Sequence, residues 1–272
     1  MTPGIFETVF PRPTLAETMG AVAAAGFRSV QFHPPSAGIN LWAADADPNA
    51  IDLIRRARDD SGVRIAALDG TYNMAHPHAE IRAEGHRGLV RTIELAEQLD
   101  VPFVTLCTGT RDPDSMWRHH PDNGLDDAWI DMTGAVTNAL SVALQHDVTL
   151  LVEPEPANIV SSAIRAWTLL DQMADAHLKI VLDPANIVLS DRSRPPLDVL
   201  TESFDVLGSD IVLAHAKDLG DNDEFCPAGT GIVPWADYWS LLGSIGYEGD
   251  VIFHTLTEAD VEAALGISPW RP

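Results

Sequence analysis

The feature that most constrains this chain is a set of four apolar runs in its C-terminal half, LLV, IVL, IVLA and VIF. Each ends on a residue able to bind a metal ion: Glu153, Asp183, His215 and His254. The runs show no apolar/polar alternation, which marks strands buried on both faces, and strands of that kind belong to parallel sheets covered by helices. Helix-like stretches separate them. If the sheet closes into a barrel, the strand ends meet on one face, and residues far apart in sequence become neighbours. A charged or imidazole side chain at the tip of a buried strand is costly unless paired or coordinated, so four in succession point to a shared site.

The whole chain parses in this way. Its 272 residues divided among eight units give ~34 residues each, room for a strand, a helix and two loops. The expectation is one domain over residues 1–272, a single (β/α)8 TIM barrel. Its strands are GIFETVF, SVQFH, VRIAALDG, FVTLCTGT, VTLLVE, LKIVLD, DIVLAH and DVIFH. Helices are expected from Leu15 to Ala25 before Gly26, from Asp47 or Pro48 to Asp60, and from Ala79 to Gln98. Further helices are expected from Asp126 to His146, from Ser161 to Ala174, along Trp235, Tyr238, Trp239 and Leu242 after Pro234, and from Glu258 to Leu265. The polar insertion RDPDSMWRHHPDNG is long for a compact fold, and loops of that size are more often functional than idle.

A formal charge of -23, from 17 basic and 40 acidic side chains, repels nucleic-acid phosphates and anionic lipid headgroups, so neither is an expected partner. Cys107 and Cys226 are too few for a disulfide framework and lack zinc-module spacing. MTPGIFETVFPRP has no basic leader, and no stretch reaches 18 uninterrupted apolar residues; the reading is a soluble cytoplasmic protein. Apolar faces on the outer helices are compatible with a homo-oligomer.

Two carboxylates and two imidazoles suit a divalent ion of intermediate hardness, Mn2+ first, with Mg2+, Co2+ or Zn2+ as alternatives. The runs LLVEPEPANIV, IVLDPANIV, VLAHAKD and AGTGIVPW resemble the C-terminal half of the xylose-isomerase-like barrel superfamily. That sugar isomerase/epimerase group also includes inosose dehydratase-type lyases and endonuclease IV. ALDGTYNMAHP and TLCTGTRDP are similar to its third and fourth strand ends. The resemblance implies a divalent metal held by a Glu, an Asp or Glu, a His and a Glu from the fifth to eighth strands, positions that fall on Glu153, Asp183, His215 and His254.

The eighth strand departs from that pattern. Relatives carry a carboxylate where this chain has His254, and in family epimerases that group and the fifth-strand carboxylate act on opposite faces of the substrate. His254 is open to three readings: a metal ligand, a base, or an imidazole satisfied by a backbone carbonyl. Glu153 is the first choice for base or ligand. Lys217, two residues beyond His215, either donates to a substrate oxyanion or pairs with Asp218 or Glu155. Glu155 shares the side of Glu153 and is a candidate for a substrate hydroxyl, and Asn186 takes the place of a substrate-binding His in many relatives. His33, Asp69, Asn73 and Thr108 are expected at the same mouth, Arg111 is a candidate for an anionic substrate group, and Trp117 and Trp235 are candidate pocket walls. His76, His78, His119 and His120 read first as solvated loop. The leading function is a metal-dependent isomerase or epimerase of a sugar, keto-sugar or cyclitol acting through an ene-diolate. The alternatives are a lyase eliminating β to a ketone and a non-catalytic sugar-binding or partner subunit; charge argues against a nuclease.

Overall fold

In the computed structural model, which describes residues 1–39 and 48–270, eight parallel strands close into a barrel. They are β1 Thr2–Phe6, β2 Ser29–Phe32, β3 Arg64–Asp69, β4 Phe103–Leu106, β5 Thr149–Val152, β6 Leu178–Leu182, β7 Ile211–Ala216 and β10 Asp250–Phe253. Closure is made by β1 on β10, with Thr2 opposite Asp250 and Ile5 opposite Phe253. A short antiparallel pair, β8 Asp218–Leu219 and β9 Phe225–Cys226, projects after β7.

The helices are α1 Leu15–Ala24, α2 Pro48–Ser61, α3 Ala79–Gln98, α4 Asp126–Gln145, α5 Ala163–Met173, α6 Pro184–Ser190, α7 Pro196–Leu207, α8 Trp235–Ser244 and α9 Val261–Gly266. Three details differ from the sequence reading. The first strand stops at Phe6, because Glu7–Val9 turns into a 3-10 helix. Two helices, α6 and α7, follow β6, each opened by a proline whose fixed φ suits a first helical position. Glu258–Asp260 is a 3-10 turn leading into α9. The expected start of the second helix at Asp47 lies outside the described residues. Among the described residues, no helix is long and apolar enough to cross a membrane.

The core has two parts. A large cluster lies between strands and helices, and a smaller one, including Ala67, Leu151, Val181, Leu213 and Ile252, fills the barrel. Burying each large aliphatic side chain of that plug contributes about 1.5–3 kcal/mol. Its position also fixes the chemistry above it. Because side chains on a strand repeat with period two, the residue two beyond Leu151 is Glu153, two beyond Val181 is Asp183, two beyond Leu213 is His215, and two beyond Ile252 is His254. The site is the next layer of the same stack, and Asp69 stands above Ala67 by the same rule.

Candidate active site at the barrel mouth

Asp183 is the centre of this layer. It is fully buried and serves as the N-cap of α6, where Oδ1 accepts hydrogen bonds from the backbone amides of Ala185 (2.9 Å) and Asn186 (3.1 Å). Capping occupies one oxygen and leaves the other to the site. Around Oδ2 stand His254 Nε2 at 2.9 Å, Lys217 Nζ at 3.3 Å and His215 Nδ1 at 3.5 Å. Burial opposes ionisation of Asp183, yet the Lys217 ammonium and the two imidazoles hold it well below the usual carboxylate range.

The two imidazoles differ. Burial disfavours a charge on His215, but the carboxylates of Glu153 and Asp183 overcome it and raise the ring to about 9. His254 is pushed down to about 4, by burial first, in spite of its bond to Asp183. Its Nδ1 lies 3.2 Å from the Thr255 hydroxyl, and Thr255 sits at φ 57°, an uncommon conformation for a β-branched residue. Phe6 packs against both rings, with centroids 6.0 Å from His215 and 5.5 Å from His254.

Glu153 stands beside this trio, with Oε1 3.5 Å from His215 Nδ1. The Asn186 side chain links it to Lys217: Nδ2 donates to Glu153 Oε1 (2.8 Å), and Oδ1 accepts from Lys217 Nζ (2.7 Å). The ammonium also lies 3.7 Å from the Phe225 ring centroid. Lys217 is therefore paired with Asp183 and Asn186, not with Asp218, which instead organises the following loop by accepting from the amides of Leu219, Gly229 and Val233 and from Trp235 Nε1. Trp235 consequently packs on Tyr238 and Trp239 and does not line the cavity.

These groups open into a cavity of about 530 Å³ whose lining includes Glu153, Glu155, His215, Lys217 and His254, with Trp117 and Phe225 at its edge. Burial pushes Glu155 up to about 7. On the other side His33 and Asp69 form a 3.0 Å pair, and the bond to Asp69 raises His33. A larger cleft, about 970 Å³, lies between α1 and α9 and holds none of the candidate site residues.

Three further candidates from the sequence make contacts of their own away from this cavity. Thr108 is fully buried and its hydroxyl accepts from the Val160 amide (3.0 Å), so it ties two loops together. Asn73 Oδ1 accepts from the amides of Thr110 (2.9 Å) and Ala75 (3.2 Å), packed where a Cβ on Gly109 (φ +75°) would come within 2.1 Å of it. Arg111 is committed to Asp131 (2.8 Å) and the Ala75 carbonyl (3.1 Å). None of the three lines the cavity. Sequence reasoning assigned no role to Gln31, Thr105, Phe6 or Phe225, which do line it.

Glu7 gives a stability test. It is 1% exposed, and its Oε1 accepts from the Ser36 hydroxyl (2.6 Å) and the His33 amide (3.2 Å). Burial, opposed by these bonds, pushes the carboxyl from 4.5 up to about 7. Below pH 4.5 the group is neutral in both folded and unfolded chains and costs nothing. As pH rises to the folded value only the unfolded chain ionises, and stability falls by up to about 3 kcal/mol. Glu7→Gln removes that loss, so its melting temperature relative to the wild-type protein rises from mildly acidic to mildly alkaline buffer. A difference independent of pH would contradict the assignment.

The donor set fits a divalent ion. Asp183, His215 and His254 offer ligand atoms within 4.8 Å of one another. Among the described residues, buried His215 Nδ1 has no hydrogen-bond partner although two carboxylate oxygens stand 3.5 Å away, an arrangement a shared cation satisfies. Glu153 falls outside that three-residue group.

Residues 19–267 match the family model described as xylose isomerase-like TIM barrel. Among solved structures, the chain is similar to the 3-keto-D-glucoside 4-epimerase YcjR from E. coli, with a TM-score of 0.79 and 16% identity over 99% of this chain and 98% of that one. It is also similar to a D-tagatose 3-epimerase-like protein (TM-score 0.77, 17% identity, 98% and 95% covered). A D-psicose 3-epimerase, solved in the presence of D-fructose, matches with a TM-score of 0.72 and 17% identity over 100% of this chain and 90% of that one. At such identities the likeness establishes the fold. Among curated proteins none matches by sequence.

Proposed function

The chain belongs to the xylose isomerase-like TIM-barrel family, and from that premise we propose that it is a divalent-metal-dependent isomerase or epimerase of a sugar or keto-sugar. The observation that carries this reading is the convergence of Asp183, His215 and His254, with Glu153 alongside, at the mouth of a cavity of sugar-accommodating size. Asp183, His215 and His254 would hold the ion, with Glu153 within reach of the same place. When bound, a divalent ion supplies Lewis-acid stabilisation of negative charge developing beside the reacting carbon.

The remaining work falls to the chain itself. Glu153 removes the proton from the carbon next to the substrate carbonyl: Asn186 fixes Oε1, and Oε2, which accepts a long contact from the Cys107 thiol (3.9 Å), belongs to a side chain that lines the cavity. Lys217, aimed by Asn186 Oδ1, donates to the substrate oxygen that gains charge. Return of the proton by Glu153 to the adjacent carbon gives isomerisation, and return on the opposite face gives epimerisation. His254, just past the end of β10 and three strands round the ring from Glu153, is our candidate for the opposite face. Its depressed basicity keeps the ring neutral, which fits a ligand better than a proton donor.

A second reading is favoured by Glu155. Held near 7, its carboxyl keeps a proton near neutrality and can protonate a leaving group, the step a lyase adds to the same proton abstraction. Incubation of Mn2+-loaded protein in D2O with ketoses, inososes and 3-keto-glycosides separates the two. Deuterium in an interconverted sugar is the expected result, an enone or dehydrated product selects the lyase, and no exchange with any of these substrates overturns both.

A further inference from the structure

Gln31 is a polar residue in the middle of the buried strand SVQF, 2% exposed, and the reaction outlined above gives it no task. Its side chain reaches across the barrel to His215, whose Nε2 lies 2.8 Å from Gln31 Oε1. The other end of the amide is fixed as well: Gln31 Nε2 donates to Thr105 Oγ1 (2.9 Å), and the Thr105 hydroxyl donates to the Leu68 carbonyl (3.4 Å).

The direction of this chain follows from its last member. A backbone carbonyl can only accept, so the Thr105 proton points to Leu68 and its oxygen receives the amide N–H. The amide therefore presents oxygen to His215, and the ring proton is drawn to Nε2. In the neutral ring, the form that binds a cation, the lone pair is then left on Nδ1, the buried nitrogen that has no hydrogen-bond partner among the described residues and faces Glu153 and Asp183 at 3.5 Å each. A reversed amide would offer N–H to Nε2, move the ring proton to Nδ1 and close that nitrogen to a cation.

We propose that Gln31, oriented by Thr105, is a positioning residue that fixes the His215 tautomer and so keeps Nδ1 open for a divalent cation; this rests on the metal reading of the site given above. Residues that orient a ligating imidazole through its second nitrogen typically change metal affinity by about 10- to 100-fold when removed.

The test is calorimetric titration of Mn2+ into the intact metal-free protein and four variants. Gln31→Met keeps the bulk and loses the acceptor, and its affinity is expected to fall about 10- to 100-fold. Gln31→Glu retains an acceptor and is expected to bind at least as tightly as the wild-type protein. Thr105→Val frees the amide to reverse and should weaken binding, while Thr105→Ser should not. Wild-type affinity in Gln31→Met overturns the proposal, as does an equal loss in Gln31→Met and Gln31→Glu, which would mark a packing role. Should Gln31→Met fail to fold, unchanged affinity in Thr105→Val overturns it instead. A wild-type protein that takes up no Mn2+ overturns the metal reading and this inference together; binding by the wild-type protein with no effect of the variants overturns this inference alone.

Discussion

In Asp183→Asn, added Mn2+ no longer raises the melting temperature, and the metal-free protein is about 3–5 kcal/mol less stable than the wild-type protein. The two carboxylate oxygens have separate tasks, which is why the effect is assignable. Asn retains an oxygen to accept from the Ala185 and Asn186 amides, so α6 keeps its cap. What is lost is the charge on Oδ2, around which His254, Lys217 and His215 stand at 2.9, 3.3 and 3.5 Å. An amide NH2 in that place confronts the Lys217 ammonium with a second donor and leaves that buried charge without its closest carboxylate. The depressed acidity of Asp183 sets the sign with pH: its stabilisation is complete above the ordinary carboxylate range and fades as pH falls below 3.8, so the two proteins converge in acid. Thermal unfolding with and without Mn2+ reads both effects, and a metal-dependent shift retained by Asp183→Asn would remove Asp183 from the ligand set.

The central layer of this site was legible in sequence because barrel geometry converts one-dimensional pattern into position. An apolar run buried on both faces identifies the strand, and period two puts Glu153, Asp183, His215 and His254 on the side of Leu151, Val181, Leu213 and Ile252. The same rule fails past the strand ends. Thr108, Asn73 and Arg111 lie in loops, where inward and sideways orientations share one sequence pattern and the deciding partners are distant: the Thr108 hydroxyl meets an amide 52 positions away. The α6–α7 pair carried a readable signal in Pro184 and the Pro195–Pro196 step. Gln31 carried one too, since a buried amide flanked by Val30 and Phe32 requires partners of its own. The identity of those partners depends on which strands adjoin after closure, and local patterning does not encode that.

Glu153→Gln is expected to lower turnover by about 10²- to 10⁴-fold, the usual contribution of a positioned general base, while the fold and the rest of the site persist. Gln can still present an oxygen to Asn186 Nδ2, so Asn186 continues to aim Lys217, and the ion pair of Lys217 with Asp183 is untouched. The side chain that lines the cavity loses its ability to take a proton, together with its charge beside His215. Exchange of the substrate C–H with D2O isolates that step from product release, and in Glu153→Gln it should fall in parallel with turnover. Glu155→Gln provides the contrast, because Glu155 lines the same cavity and accepts at Oε1 from the Ala157 amide (3.3 Å). If Glu153 is the base, Glu155→Gln keeps C–H exchange and alters substrate affinity or the fate of a leaving group. Exchange that survives in Glu153→Gln and disappears in Glu155→Gln would move proton abstraction two residues along the chain, to the buried carboxyl beyond Pro154.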